Sequence, residues 1–262
     1  MKRNIVIIVV GAILLSTASA LGQMAASPVA TPGTGQWTVS AMGGYFYQGI
    51  GSEDAQSYRL LIKSAWGVAP WLDLYAMGGA ADLSIDPGDP ALSTLDDDFR
   101  LAYGLGLNTA LDLPVGNGLQ FWGGAHAIRY EPRGDFRETL LIGSDVYTQK
   151  SAMKYDWREI KAFAGVALPV GPARFYLGGA AWWLLRKETQ TVTRIGDGSV
   201  ANLGTVEGEY RSGMWSGGVL GVELRLPDHF ALAVEALFFN ESNVQVFISL
   251  MQTGATGWKP LE

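Results

Sequence analysis

From about residue 37 onward, apolar residues return at every second position, in short runs broken by Gly, Pro and Asn. A period of two is the mark of β-strands with one apolar face. The pattern predicts ten strands: 37–48, 57–67, 71–84, 98–112, 118–130, 154–168, 173–186, 211–225, 229–240 and 244–251. In the 98–112 segment Leu101, Tyr103, Leu105, Leu107 and Leu111 share one face, while Ala102, Gly104, Gly106, Asn108 and Asp112 share the other. The remaining strands repeat this division of large apolar residues from small or polar ones. The small or polar face also collects charges of both signs: Arg59, Lys63, Asp73, Asp112, Glu159, Lys161, Glu223, Arg225 and Glu235. A soluble barrel keeps such residues outside and fills its centre with apolar ones; a barrel in lipid inverts the pattern. The charged face is therefore the expected lumen, with its charges paired and partly hydrated. The 154–168 strand fits least well, because Asp156 and Arg158 fall on its outward face. Either they sit at a rim, or a β-bulge shifts the register and reassigns Glu159 and Lys161.

The connections sort by length. Four carry Pro and are short: Val68-Ala69-Pro70, Leu113-Pro114-Val115-Gly116-Asn117, Pro169-Val170-Gly171-Pro172 and Leu226-Pro227-Asp228. They fall at every second connection, and most of the others are long: 49–56, 85–97, 131–153 and 187–210. Short turns on one side and long loops on the other are what an outer-membrane barrel shows, with the short turns in the periplasm. After three of the Pro turns an approximate repeat opens the next strand: WLDLYAMGGAA at 71–81, LQFWGGAHA at 119–127 and ARFYLGGAAWW at 173–183. Its Gly and Ala residues are expected to leave room for larger residues opposite in a curved sheet. Trp37, Tyr45, Tyr47, Trp66, Trp71, Phe175, Tyr176, Trp182 and Trp183 lie near strand ends and are candidates for two interfacial aromatic girdles. The expected fold is thus all-β: a transmembrane antiparallel up-and-down β-barrel of about ten strands, with eight as the alternative count.

Composition adds limits. The 34 Gly and 19 Trp plus Tyr residues suit strands and turns better than helices. The absence of Cys excludes thiol catalysis, disulfides and Cys-bound metals. The formal charge of −6, with no basic tract, argues against nucleic acid. Residues 1–20, MKRNIVIIVVGAILLSTASA, combine Lys2 and Arg3, an apolar run and Ala18-Ser19-Ala20, and read as a cleaved signal peptide. The apolar run is shorter than the roughly 20 residues a transmembrane helix needs. Residues 21–36 read as a flexible lead-in, 37–251 as the barrel and 252–262 as a C-terminal tail.

Candidate chemistry is sparse. The histidines are His126, expected in the lumen near Trp122 and Tyr130, and His229, at a short turn. No zinc-protease, Ser-hydrolase or EF-hand pattern is present. Asp86, Asp89, Asp96, Asp97 and Asp98 form either a solvated acidic loop or a weak divalent-cation site. No cofactor and no enzymatic activity are expected.

The hairpin WGVAPWLDLYAMGGAADL at 66–83, with the architecture around it, resembles the superfamily of small outer-membrane β-barrels. That superfamily includes the transmembrane domain of outer membrane protein A and the opacity-type adhesins. The resemblance covers roughly 37–251 and implies a place in the bacterial outer membrane of a Gram-negative cell envelope. It also implies contact with outer-membrane lipids, lipopolysaccharide and the barrel-assembly machinery. Functions of such proteins include structural support, porin-like passage, adhesion and, in a few members, hydrolysis. The Asp-His pair of omptin-type proteases is matched only by Asp228-His229, on the wrong side of the barrel. The His-Ser pair of lipid A deacylases is absent, since Ala127 follows His126 and Phe230 follows His229. Unlike such barrels, which usually close on a terminal aromatic residue, this sequence closes on GWKPLE. The expected function is structural support or narrow passive passage of small solutes. Surface adhesion or ligand binding through the 131–153 and 187–210 loops is the alternative.

Overall fold

A computed structural model describes residues 33–50, 53–86, 94–114, 118–142, 145–196, 199–227, 230–239 and 243–252. The expected signal peptide, most of the lead-in and the part of the expected C-terminal tail beyond Gln252 lie outside these residues. The described chain forms fourteen strands: β1 (Trp37–Ile50), β2 (Glu53–Ala69), β3 (Leu72–Ala81), β4 (Ser84–Asp86), β5 (Leu95–Asp96), β6 (Arg100–Asp112) and β7 (Gln120–Tyr130). They continue with β8 (Arg133–Ile142), β9 (Asp145–Val170), β10 (Ala173–Gly196), β11 (Ser199–Arg211), β12 (Trp215–Leu226), β13 (Phe230–Phe239) and β14 (Asn243–Gln252). Ten of them close a ring in the order β1, β2, β3, β6, β7, β9, β10, β12, β13, β14, with every neighbouring pair antiparallel. β1 pairs with both β2 and β14, so the ring has no edge. The count is ten, not eight, and the 244–251 segment is the strand that closes it.

Side-chain direction follows the two-residue period. Leu60, Ile62, Leu74, Leu101, Leu105, Leu177 and Leu220 are exposed on the outer wall. Their sequence neighbours Arg59, Leu61, Lys63, Asp73, Ala102 and Tyr176 are buried inside. Such an apolar exterior around a polar interior suits a lipid solvent. Trp37, Trp66, Trp71, Phe121 and Phe175 stand exposed near the short-turn end, and Tyr103 and Phe99 near the other. Tyr176 and Trp182, expected in the girdles, are instead 2% and 0% exposed. Each follows or precedes an outward aromatic residue, and adjacent strand residues cannot share a face.

Two of the expected long loops are sheet. β8 runs alongside β9 from Arg133↔Lys154 to Ile142↔Asp145. β11 runs alongside β10 from Leu185↔Arg211 to Gly196↔Ser199, with a register shift at Val192/Thr193. These four strands continue the barrel wall into an open blade. β9 has 26 residues, against the roughly 9 to 11 that a tilted strand needs to cross a bilayer. The described side chains of 187–210 are half-buried or exposed on both faces, so no apolar stripe marks that segment as strand. No bulge interrupts β9 against β7 or β10, so Glu159 and Lys161 keep their inward parity.

Glycine permits this wall to close over bulky interior groups. A Cβ on Gly106 would lie 2.4 Å from Tyr75 Cζ and 2.7 Å from the Ala125 carbonyl oxygen. A Cβ on Gly221 would lie 2.3 Å from Tyr176 Cζ. Gly106→Val is therefore expected to destabilise the barrel by about 1–3 kcal/mol through overpacking, read as a lower urea midpoint in detergent. An unchanged midpoint would show that Tyr75 yields freely.

Candidate functional site

The interior is organised around one carboxylate. Glu159, on β9, receives Arg59 from β2 on the opposite side of the ring, with Nη2 2.5 Å from Oε1. Trp157 Nε1 donates to the same oxygen at 2.7 Å. Lys161 Nζ lies 3.1 Å from Oε2 and donates to Gln245 Oε1 on β14 at 2.7 Å. Arg59 also donates to the Tyr130 hydroxyl at 2.9 Å and to Ser57 Oγ at 3.0 Å. Its guanidinium carbon sits 4.8 Å from the Phe46 ring centroid and 5.0 Å from that of Tyr130. Four strands, β2, β7, β9 and β14, are thus tied together across the lumen.

Aromatic layers pack above and below these charges. Phe46 meets Trp157 and Trp182 edge-on, at centroid distances of 6.1 and 5.4 Å. Trp182 also contacts Phe239, and Trp122 packs on Phe163 and Tyr176 towards the short-turn end. Glu159, Lys161, Trp122, Trp157, Trp182, Tyr130 and Phe46 all have 0% exposure. A water-filled pore leaves its lining open to a water-sized sphere; here, no such sphere reaches these side chains.

The other expected lumen residues occupy the same interior at different heights. Lys63 Nζ lies 4.1 Å from the Tyr75 ring centroid, and the Tyr75 hydroxyl is 3.2 Å from His126 Nδ1. Asp73, Glu223 and Glu235 are buried. Arg225 is half-buried, and Asp112 is exposed at the end of β6, where Gln120 Nε2 donates to it at 2.5 Å. Asp112 therefore belongs to the watery mouth and not to the enclosed network, because the lumen opens at the last residue of that strand. Arg174, which pairs in register with Glu223, was legible from its parity but was not among the expected lumen residues. Arg186 was missed because the 173–186 strand was expected to end on it. It reaches across the opposite mouth to Glu53, with Nη1 2.6 Å from Oε2.

The acidic loop divides. Asp97 is buried; its Oδ2 accepts the Arg133 amide at 2.7 Å and its Oδ1 accepts Arg100 Nη2 at 3.0 Å, which fastens the base of β8. Asp86 and Asp98 are exposed, while Asp89 and the Asp96 side chain lie outside what is described. Among the described residues, no three carboxylates or histidines gather as a metal site.

The outward root of the blade carries a second cluster. Arg129 Nε meets Asp156 Oδ1 at 2.8 Å, Arg158 Nη2 meets Asp156 Oδ2 at 2.5 Å, and Arg211 Nε meets Glu209 Oε1 at 2.6 Å. Hydrogen bonding from Arg158, with Arg129 on its other side, holds the Asp156 carboxyl below the usual carboxylate range.

No family model matches the chain, and no curated protein matches it. Among solved structures it resembles the translocator domain of the autotransporter NalP from Neisseria meningitidis. The TM-score is 0.53 at 11% identity, over 85% of this chain and 89% of that one. The transport unit of the autotransporter AIDA-I from Escherichia coli is a weaker likeness, with a TM-score of 0.37 at 8% identity over 88% and 93% of the two chains. These likenesses are of fold, and they do not single out the outer membrane protein A or opacity-type barrels. By fold, the chain is an outer-membrane β-barrel of ten antiparallel strands.

Proposed function

We propose that this chain is a non-conducting barrel of the bacterial outer membrane that holds a β-blade at the cell surface for binding. The observation that carries this reading is the enclosed Arg59–Glu159–Lys161 centre, in which Glu159 and Lys161 are fully buried and Arg59 is 2% exposed. Passage of a solute would require those ion pairs and the surrounding Trp rings to move together. The blade supplies what the lumen does not: a sheet of four paired strands that extends beyond the ring. Its strands are cross-linked by Lys150–Asp135, with Nζ 2.6 Å from Oδ2, and by Gln190 Nε2 donating to Ser151 Oγ at 3.0 Å. Leu203 and Val206 are exposed on it, 49% and 61% respectively, as apolar contacts for a partner. This reading assigns the chain no catalysis.

The test compares the whole chain with one in which 135–152 and 190–206 are each replaced by a short turn. In planar bilayers the whole chain is expected to give no steps above a blank membrane. The trimmed chain is expected to keep its heat-modifiable gel migration and lose binding of expressing cells to host-cell or matrix surfaces. Regular conductance steps, or undiminished binding after trimming, would overturn the reading.

A further inference from the structure

Beyond recognition by the blade in general, we infer that the outer mouth holds a cage for the guanidinium of an arginine side chain on a peptide partner. The cage lies on the interior face, where the blade leaves the ring. Trp157, Arg186 and Tyr210 form one row there across β9, β10 and β11, and Tyr155, Glu188 and Gly208 form the next. Glu53 stands opposite, at the first residue of β2. Arg186 Nη1 lies 2.6 Å from Glu53 Oε2, and Arg186 Nη2 lies 3.4 Å from Glu188 Oε2. The guanidinium carbon is 5.5 Å from the ring centroids of both Tyr155 and Tyr210. Two rings and two carboxylates thus surround one cation. Guanidinium groups select such surroundings, by stacking on the rings and by donating in pairs to the carboxylates.

The cage offers more than its own cation uses. One guanidinium serves two carboxylates, so the group is net negative. The Glu53 and Glu188 side chains are 32% and 34% exposed and stay open to the outside solution, whereas Tyr155 is buried. The wall makes room for Glu188, since a Cβ on Gly208 would lie 2.9 Å from its Oε1. Beneath the carboxylates, Gln48 shares a face of β1 with Ile50, the register partner of Glu53. Gln48 is fully buried, and neither polar atom of its carboxamide has a hydrogen-bond partner among the described residues. Its oxygen is an acceptor for a cationic side chain long enough to pass the carboxylates. A free amino acid fits poorly, because its own carboxylate would meet Glu53 and Glu188. An arginine on a partner's peptide narrows the blade reading to one chemistry and rests on that reading for its partner. Gln48, Glu53, Tyr155, Arg186, Glu188 and Tyr210 all remain when 135–152 and 190–206 are replaced. Trimming therefore tests the blade, and substitution within the cage tests the site.

Fluorescence anisotropy of a dye-labelled, end-blocked Gly-Gly-Arg-Gly-Gly peptide, titrated with the full chain in uncharged detergent, tests the cage. The same peptide with citrulline, a neutral isostere of arginine, should bind at least about tenfold more weakly, since bonds between charged groups are lost. Joint Glu53→Gln and Glu188→Gln substitution should weaken the arginine peptide by a similar factor. Arg186→Met should instead tighten it about threefold or more, because the resident guanidinium no longer competes for the rings and carboxylates. An Arg186 that served structure alone would give a loss or no change. Equimolar free arginine should not displace the peptide. Heat-modifiable gel migration shows that each variant is folded. No binding of the arginine peptide, equal binding of the citrulline peptide, undiminished binding after the double substitution, no tightening with Arg186→Met, or displacement by free arginine would each overturn the inference.

Discussion

Glu159→Gln is expected to destabilise the barrel by about 3–5 kcal/mol, because it leaves two buried cations without their counter-charge. The substitution keeps the size of the side chain, so no cavity confuses the result. What changes is that Arg59 and Lys161, 2% and 0% exposed, lose the carboxylate that each approaches within about 3 Å. Urea titration in detergent, followed by heat-modifiable gel migration, measures the effect. A chain with Arg59→Met, Glu159→Leu and Lys161→Met together should recover much of the loss, since apolar groups of similar volume need no partners. A midpoint unmoved by Glu159→Gln would mean that water reaches the centre, and the non-conducting reading would lose its main support.

Leu105→Arg tests the other side of the wall. Leu105 is 68% exposed at mid-height of β6, beside Ala76 and Ala127. In lipid, an Arg there costs about 2–4 kcal/mol at the bilayer midplane. In water, the same exchange at an exposed site stays within about 0.5 kcal/mol. Leu203→Arg, on the blade, is the matched control and should fall in the second class. The same urea titration in lipid vesicles reads both, and similar small effects at the two sites would remove lipid from the account.

The barrel was legible in the sequence for a reason these two sites illustrate. A wall with lipid on one side and packed charge on the other imposes a strict period of two, and Arg59, Lys63, Asp73, Glu159 and Glu235 follow it without exception. The Pro-bearing turns then fix which strand ends lie together. The blade was not legible, since Thr189, Thr191 and Thr193 alternate with residues that are also wetted, so strand and loop read alike. Residue type misled at Tyr176 and Trp182: aromatic side chains serve girdles and interiors equally, and only their parity beside Phe175 and Trp183 separates the two. The partners within the lumen lay beyond reach for another reason. Arg59 and Glu159 are 100 residues apart, and their meeting depends on ring closure and strand order, which one sequence does not display. The cluster at the outward root of the blade has the same origin, since Arg129, Arg158 and Arg211 align only through the registers of four strands.

The chain has no Cys, so a single introduced thiol reports its surroundings without background. The most direct test of a barrel whose outer wall faces lipid is the labelling of Leu105→Cys and Val206→Cys by a water-soluble maleimide in outer-membrane vesicles. Both positions are well exposed on the protein surface, at 68% and 61%. The account predicts fast labelling at 206 and almost none at 105 until urea and heat unfold the chain. Equally fast labelling at both sites before unfolding would contradict it.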